Sequence, residues 1–304
     1  MGSEMCIRDR LHFPGRRDQG GALRSGARRL QGLRAAVADR PGLGDVMRAF
    51  AGLLAAVALA APAGAAETWR PIFNGRNLDG WVPKFNHHPL GENWRNTFQA
   101  KDGVLRVDYG QWPQFNNEFG HLIYKRPLSA YRLRFEYRFM GPSPPGAQPW
   151  AFRNSGVMLH GQAPEKMALD QPFPISVEAQ LLGGNTADDT RHTGNVCTPG
   201  TTISIGGAPV KVHCLDSTSK TFRDGEWVRF EVEVHGGRLV RQFVNGELVM
   251  EYTDVKLDPG EYKGFANVDP GDAKAEPLTR GYISLQAESG PIEFRKIELL
   301  ELKE

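Results

Sequence analysis

Apolar and polar residues alternate with period two along much of this chain, and the alternation is clearest in three runs. From Tyr131 to Phe139 the apolar set is Tyr131, Leu133, Phe135, Tyr137 and Phe139, which turns Arg132, Arg134, Glu136 and Arg138 the other way. From Asn154 to His160, Ser155, Val157 and Leu159 alternate with Asn154, Gly156, Met158 and His160. Ile175, Val177, Ala179 and Leu181 leave Ser176, Glu178 and Gln180 opposite. The three runs together predict that Glu136, Arg138, Asn154, His160, Glu178 and Gln180 share one polar sheet face away from the core. Charged groups and amides gathered in that way suit a sugar, whose hydroxyls both donate and accept hydrogen bonds.

Further short runs between Gly, Pro and Asn read as strands: 104–109, 121–124, 227–235, 239–244, 248–252, 282–287 and 292–302. Asn245-Gly246 between two of them predicts a hairpin, because a type I′ turn needs positive φ at both central residues. No long amphipathic helix is visible, so the fold class is all-β, a sandwich. Three connections, 141–153, 183–214 and 256–280, are long for hairpin loops and are expected to rim a site.

Composition divides the chain further. Residues 1–46 are rich in Arg, Gly and Ala without apolar periodicity, and read as an out-of-place upstream translation or a disordered basic tail. Residues 47–66 read as an export signal: Arg48, an apolar run too short to span a bilayer, then Ala63-Gly64-Ala65 as a cleavage site. The working domain is then 67–304, exported to the periplasm or secreted, with no membrane span once the signal is removed. The first 66 residues hold ten Arg, no Lys and five Asp or Glu, so their removal changes the formal charge from +2 to −3. Basicity therefore gives no argument for a nucleic-acid partner. Cys197 and Cys214 remain, and in an exported protein an even pair favours a disulfide over two buried thiols, worth roughly 3 kcal/mol by loop closure.

The segment Phe73-Asn74-Gly75-Arg76-Asn77-Leu78-Asp79-Gly80-Trp81 resembles the opening of the 3-keto-disaccharide hydrolase family. Also similar are Lys101-Asp102-Gly103-Val104-Leu105, Leu133-Arg134-Phe135-Glu136-Tyr137-Arg138, Asn154-Ser155-Gly156-Val157-Met158-Leu159 and Val177-Glu178-Ala179-Gln180. Gly225-Glu226-Trp227, Asn245-Gly246 and Ile292-Glu293-Phe294-Arg295-Lys296-Ile297 complete an ordered set running from about residue 70 to 302. The resemblance implies a concanavalin A-like jelly roll of two antiparallel sheets, one of them concave. It also implies action on glycosides oxidised at C3, as a 1,2-lyase with hydratase activity or as a net hydrolase. Two departures stand out: His160 where the family often has Arg, and Ala287-Glu288-Ser289-Gly290 in place of a common His-Gly stretch.

A C3 ketone acidifies the C2 proton, so a base can remove it while an acid helps the C1 substituent leave, and donors stabilise the enolate oxygen. Glu178 is the first choice of base, with Glu136 or His160 as acid. Arg138, Asn154, Gln180 and Gln286 are candidates for holding the enolate or the hydroxyls, and Trp112 and Trp150 for stacking on a ring. An ion pair between Glu136 and Arg138, a hydrogen-bonded surface His160 and core-edge tryptophans are the structural alternatives. Retaining glucanases of this fold carry two carboxylates about 5 Å apart, and Glu178-Ala179-Gln180 offers one, which disfavours direct double displacement.

No cofactor is called for outright, although a divalent metal polarising the ketone would suit the chemistry. Asp188, Asp189 and His192 in one loop, and His87-His88, are the weak metal signals. The partner is a carbohydrate, and the rival function is a non-catalytic carbohydrate-binding module of the same fold. Export cleavage is expected between Ala65 and Glu67. N-terminal sequencing of protein recovered from the periplasm tests this, and a start near Met1 would reject it.

Overall fold

A pleated strand sends successive side chains to opposite faces, so a chain of alternating strands must stack two sheets to bury the apolar faces. The computed structural model describes residues 68–185, 189–262 and 275–303. The upstream segment 1–46, the signal 47–66 and Asp188 lie outside the described residues. Seventeen strands run through the described residues. The first six are β1 (Arg70–Pro71), β2 (Trp81–Phe85), β3 (Phe98–Lys101), β4 (Val104–Val107), β5 (Gly120–Tyr124) and β6 (Ala130–Phe139). Then come β7 (Asn154–Gly161), β8 (Val177–Leu182), β9 (Asn195–Cys197), β10 (Thr201–Ile205), β11 (Ala208–Pro209) and β12 (Cys214–Leu215). The last are β13 (Val228–His235), β14 (Leu239–Val244), β15 (Glu247–Leu257), β16 (Tyr282–Ala287) and β17 (Ile292–Glu301).

They form two antiparallel sheets, the all-β jelly-roll sandwich expected of the sequence. The ten-stranded sheet has the order β11-β10-β15-β14-β13-β6-β17-β4-β3, with β1 paired to β17. The seven-stranded sheet has the order β12-β9-β8-β7-β16-β5-β2. The turn between β14 and β15 is built on Asn245 and Gly246 at φ 53° and 91°, the left-handed geometry that an Asn-Gly pair tolerates. Between the sheets, Tyr131, Leu133, Phe135 and Tyr137 of β6 share one buried cluster with Val157, Leu159, Val177, Ala179, Leu181, Ile283 and Leu285. Each such large side chain contributes about 2 kcal/mol by leaving water. The 183–214 stretch, read from sequence as one loop, instead contains β9, β10 and β11, since Asn195–Cys197 pairs with β8. Cys197 and Cys214 stand opposite each other in β9 and β12 and are joined by a disulfide.

Sheet membership corrects one expectation. β6 lies in the ten-stranded sheet between β13 and β17, whereas β7 and β8 are neighbours in the other sheet. Glu136 and Arg138 are therefore on the outside of the opposite layer, separated by the core from Asn154, Glu178 and Gln180. There they join a lattice of ion pairs. Glu136 accepts from Arg295 Nε at 2.6 Å and Lys296 Nζ at 2.8 Å. Arg138 donates to Glu293 at 2.8 Å and its guanidinium lies 4.5 Å from the Trp227 ring centre, while Arg295 lies 3.8 Å from the same ring. Burial pushes the Glu136 carboxyl up, but its bonds and charges from Lys296 and Arg295 outweigh that and hold it below its ordinary value. A carboxylate so held is no proton donor at neutral pH, and Glu136 leaves the list of acids.

Glu293 is the anchor of this outer face: its side chain is only 2% exposed and is clamped by Arg106 and Arg138. Both arginines keep about a third of their surface in water, so removing the carboxylate does not strand them in the interior. Glu293→Gln should therefore cost about 2 kcal/mol, the scale of charge-assisted hydrogen bonds, as read by urea unfolding. Sugar chemistry should be unaffected.

Candidate functional site

Alternation in β8, β7, β16, β5 and β9 turns a second set of side chains away from the core. These are Glu178 and Gln180, Asn154 and Met158, Ser284 and Gln286, His121, and Asn195. The register aligns them in rows across the sheet. Lys84 stands opposite His121, and His121 opposite Gln286. Leu285 pairs with Val157, so Gln286 falls beside Gly156, which pairs with Gln180, which pairs with Asn195. Lys84, His121, Gln286, Gly156, Gln180 and Asn195 therefore form one line from β2 to β9. The next line carries Met158, Glu178 and Cys197.

Gly156 is where the carboxylate comes to rest. A Cβ built on Gly156 would sit 2.2 Å from Glu178 Oε1, so the Glu178 side chain lies across β7 in space that any other residue would fill. Glu178, Gln180, Asn154 and Gln286 are all at most 7% exposed. Among the described residues both ends of the Gln286 amide, and Asn154 Oδ1, meet no hydrogen-bond partner. A buried amide without partners forfeits about 1–3 kcal/mol, and a polyhydroxylated ligand would return that.

His121 adds a further polar atom. Its Nε2 lies 3.1 Å from the Pro172 carbonyl, which can only accept, so Nε2 carries the proton and Nδ1 is left as an acceptor, with no partner among the described residues. Burial pushes the imidazole down to about 4, with the nearby Lys84 charge adding to it and the Pro172 bond opposing. His121 is thus neutral at pH 7. Lys84 is also lowered by burial, against the Asp170 charge, and its Nζ is spent on the carbonyls of Phe85, His88 and Leu169. Leu169 and Pro172 belong to the β7–β8 connection, which crosses to β5 and β2 and packs Phe173 on Phe119, ring centres 4.8 Å apart.

The sequence reading missed His121, although His121-Leu122-Ile123-Tyr124 alternates visibly, and Glu288 as a second buried carboxyl. Glu288 follows β16 two residues after Gln286, is 4% exposed, and lies close enough to Tyr109 for its charge to add to the burial that raises that hydroxyl.

His160 is not on this face. β7 carries one extra residue where Tyr282 pairs with Gly161 and Ser284 with Met158, and His160 takes up the bulge at φ 51°. The bulge reverses the alternation, so the ring turns towards the ten-stranded sheet, edge-on to Tyr131 with centres 6.5 Å apart and Nε2 3.0 Å from the Gly236 carbonyl. It borders a separate cavity of about 350 Å³ with Ile175, Leu257, Leu278 and Tyr282. Trp112 is a core residue: it is 4% exposed, gives Nε1 to Thr97 Oγ1 at 2.9 Å and packs on Tyr109 and Phe115. Trp150 is half-buried in the short turn Pro149–Ala151 and stacks on Phe119, 6.2 Å between centres, beside the start of β5.

The metal signals do not converge. Asp189 pairs with Arg223, His192 Nδ1 with the Ser219 carbonyl, and His88 with Glu92 and Glu118. Among the described residues no three His, Cys, Asp or Glu side chains are grouped as a metal site, and no helix is long and apolar enough to cross a membrane.

A family profile described as a 3-keto-alpha-glucoside-1,2-lyase-like domain matches residues 68–300. No curated protein matches the chain. A Parabacteroides distasonis protein provisionally described as a glycosyl hydrolase is similar at 17% identity, over 78% of this chain and 95% of its own, with a TM-score of 0.47. A Bacillus subtilis protein of unknown function with a galectin-like fold is similar at 11% identity, over 78% and 96%, with a TM-score of 0.40. A carbohydrate-binding module from Bacillus subtilis is similar at 10% identity, over 66% and 96%, with a TM-score of 0.34.

The depressed His121 pKa has a consequence for stability. Between the folded value of about 4 and the unfolded value of about 6.5, the unfolded chain binds the extra proton. The contribution is therefore complete above about pH 6.5 and is lost as pH falls towards 4, on the order of 3 kcal/mol in all. Glu136 and Glu293 act in a lower window, below 4.5. His121→Gln, which keeps a donor for Pro172 but does not titrate, should flatten the fall of Tm between pH 6.5 and 4.5. An unchanged slope would show that His121 is already charged in the folded state.

Proposed function

The chain belongs to the 3-keto-alpha-glucoside-1,2-lyase-like family, and from that membership and the geometry of the seven-stranded sheet we propose that it cleaves 3-keto-glycosides by removing the C2 proton and expelling the C1 substituent. The observation that carries the reading is Glu178, a buried carboxylate laid over Gly156, with the Gln180 amide opposite Gly156 on one side and Gln286 beside it on the other. Glu178 takes the proton. The Gln180 and Gln286 amides donate to the oxygen on which the enolate charge collects, a role for which fixed neutral donors in a dry site are suited. Glu136 and His160, the two acids expected from sequence, face elsewhere; in this reading the general acid is Glu288, which acts only in its protonated form, the charge felt by Tyr109 being that of its ionised form. Water then adds to the enol ether product, making the net reaction hydrolysis. This reading is favoured over a binding module because the face carries a buried carboxylate among amides and because Trp112, one of the two aromatic platforms that a module would use, is in the core.

Glu178→Gln keeps shape and most hydrogen bonding but removes the base, so turnover of 3-keto-maltose, 3-keto-cellobiose or 3-keto-trehalose should fall on the order of 10²-fold or more, with KM changed much less. Thermal unfolding confirms that the variant is folded. Glu288→Gln should slow sugar-leaving substrates while sparing a nitrophenyl 3-keto-glucoside, whose leaving group needs no proton. Near-native turnover by folded Glu178→Gln would take Glu178 out of the mechanism.

A further inference from the structure

Gln180 does not hold itself. Its Oε1 accepts from Asn195 Nδ2 at 3.2 Å, and Asn195 Oδ1 in turn accepts the backbone N–H of Ser217 at 2.9 Å. Ser217 is itself fixed, its Oγ donating to the Thr193 carbonyl at 2.6 Å. An amide can be turned by 180° at little steric cost, and only its neighbours decide which end faces a ligand. Here a main-chain N–H, which can only donate, sets Asn195 oxygen-first towards Ser217. Asn195 must then present its NH₂ to Gln180, and Gln180 must present its carbonyl to Asn195. The Gln180 NH₂ is left facing the site, bonded to no described residue. Asn195 is 2% and Gln180 4% exposed, so water does not compete freely for these bonds.

We propose that Asn195 is a positioning residue that polarises Gln180 into a one-way donor, making the face selective for an oxygen that gains negative charge. The inference rests on the enolate chemistry proposed above. The relay spans the disulfide: Asn195 begins β9, Cys197 ends it, and the bonded Cys214 opens the strand that leads to Ser217. The covalent link thus holds the Ser217 N–H at the distance the relay needs.

The test is Asn195→Asp in the full chain. The carboxylate still accepts from Ser217 but cannot donate, so Gln180 turns its NH₂ towards residue 195 and shows the site a carbonyl oxygen. With a 3-keto-glycoside as substrate, kcat should fall about 10²-fold, the scale of a lost oxyanion donor, while KM stays within about 3-fold. Asn195→Ala, which avoids a new buried charge, frees Gln180 to adopt either orientation and should cost on the order of 10-fold. In a Gln180→Ala background both changes should have no further effect. A second readout does not depend on turnover: hydrogen exchange of the Asn195 side-chain amide by NMR, slow in the parent protein and fast in Gln180→Ala. Unchanged kcat in both Asn195 variants, or an equal loss with and without Gln180, overturns the proposal. If the parent protein turns over no 3-keto-glycoside, the enolate reading fails, and the exchange measurement alone decides whether the relay exists. Fast exchange in the parent protein would reject it.

Discussion

The antiparallel register through β9, β8, β7, β16, β5 and β2 is the constraint on which the candidate site depends. Each pairing fixes which residues stand side by side, and a slip of one residue in any strand would send its polar set into the core. Because four pairings agree, amides from three strands and an imidazole from a fourth fall on one line, with a carboxylate leaning in from the next. No loop closure is needed to assemble them. Backbone hydrogen bonds, made for folding, also set the spacing of the chemistry.

The same alternation gives the two layers opposite outer faces. On the ten-stranded sheet most charged groups meet their opposites, as with Arg134 and Glu298 or Arg138 and Glu293, and indole rings lie against the guanidinium groups. Such a face is internally satisfied and gains little from a ligand. The other sheet carries few charges and many amides, two of which, Asn154 and Gln286, have atoms unmatched within the described residues. An amide that lacks a protein partner is a cost to folding, and its presence at the centre of a face is a local departure from the rule of satisfied polar groups of the kind found at functional sites.

How much of this was legible in the sequence follows from how local each signal is. The strands, the Asn245-Gly246 turn and the side on which Glu178, Gln180 and Asn154 point are encoded within a few residues, and the structure agrees with them. Which sheet receives a strand is not local: β6 alternates as cleanly as β8 but pairs with β13 and β17, far along the chain, and so Glu136 and Arg138 were assigned to the wrong face. His160 was misplaced for a different reason, a one-residue bulge whose cause lies in the pairing with β16. Trp112 reads as a polar-loop residue from its neighbours, yet its partners Tyr109, Phe115 and Thr97 draw it into the core.

The hydrogen atom that serves as a side chain at position 156 has an evolutionary reading. The space above it is occupied by a carboxylate oxygen, and a single methyl group there would lie 2.2 Å from that oxygen, far inside van der Waals contact. One base change in a glycine codon is enough to add that methyl. The amides on either side would be untouched and the sheet would still pair. A lineage of this fold is therefore one mutation away from displacing the Glu178 carboxylate while retaining the amides around it, which makes position 156 a place to look when the role proposed for Glu178 is tested across relatives.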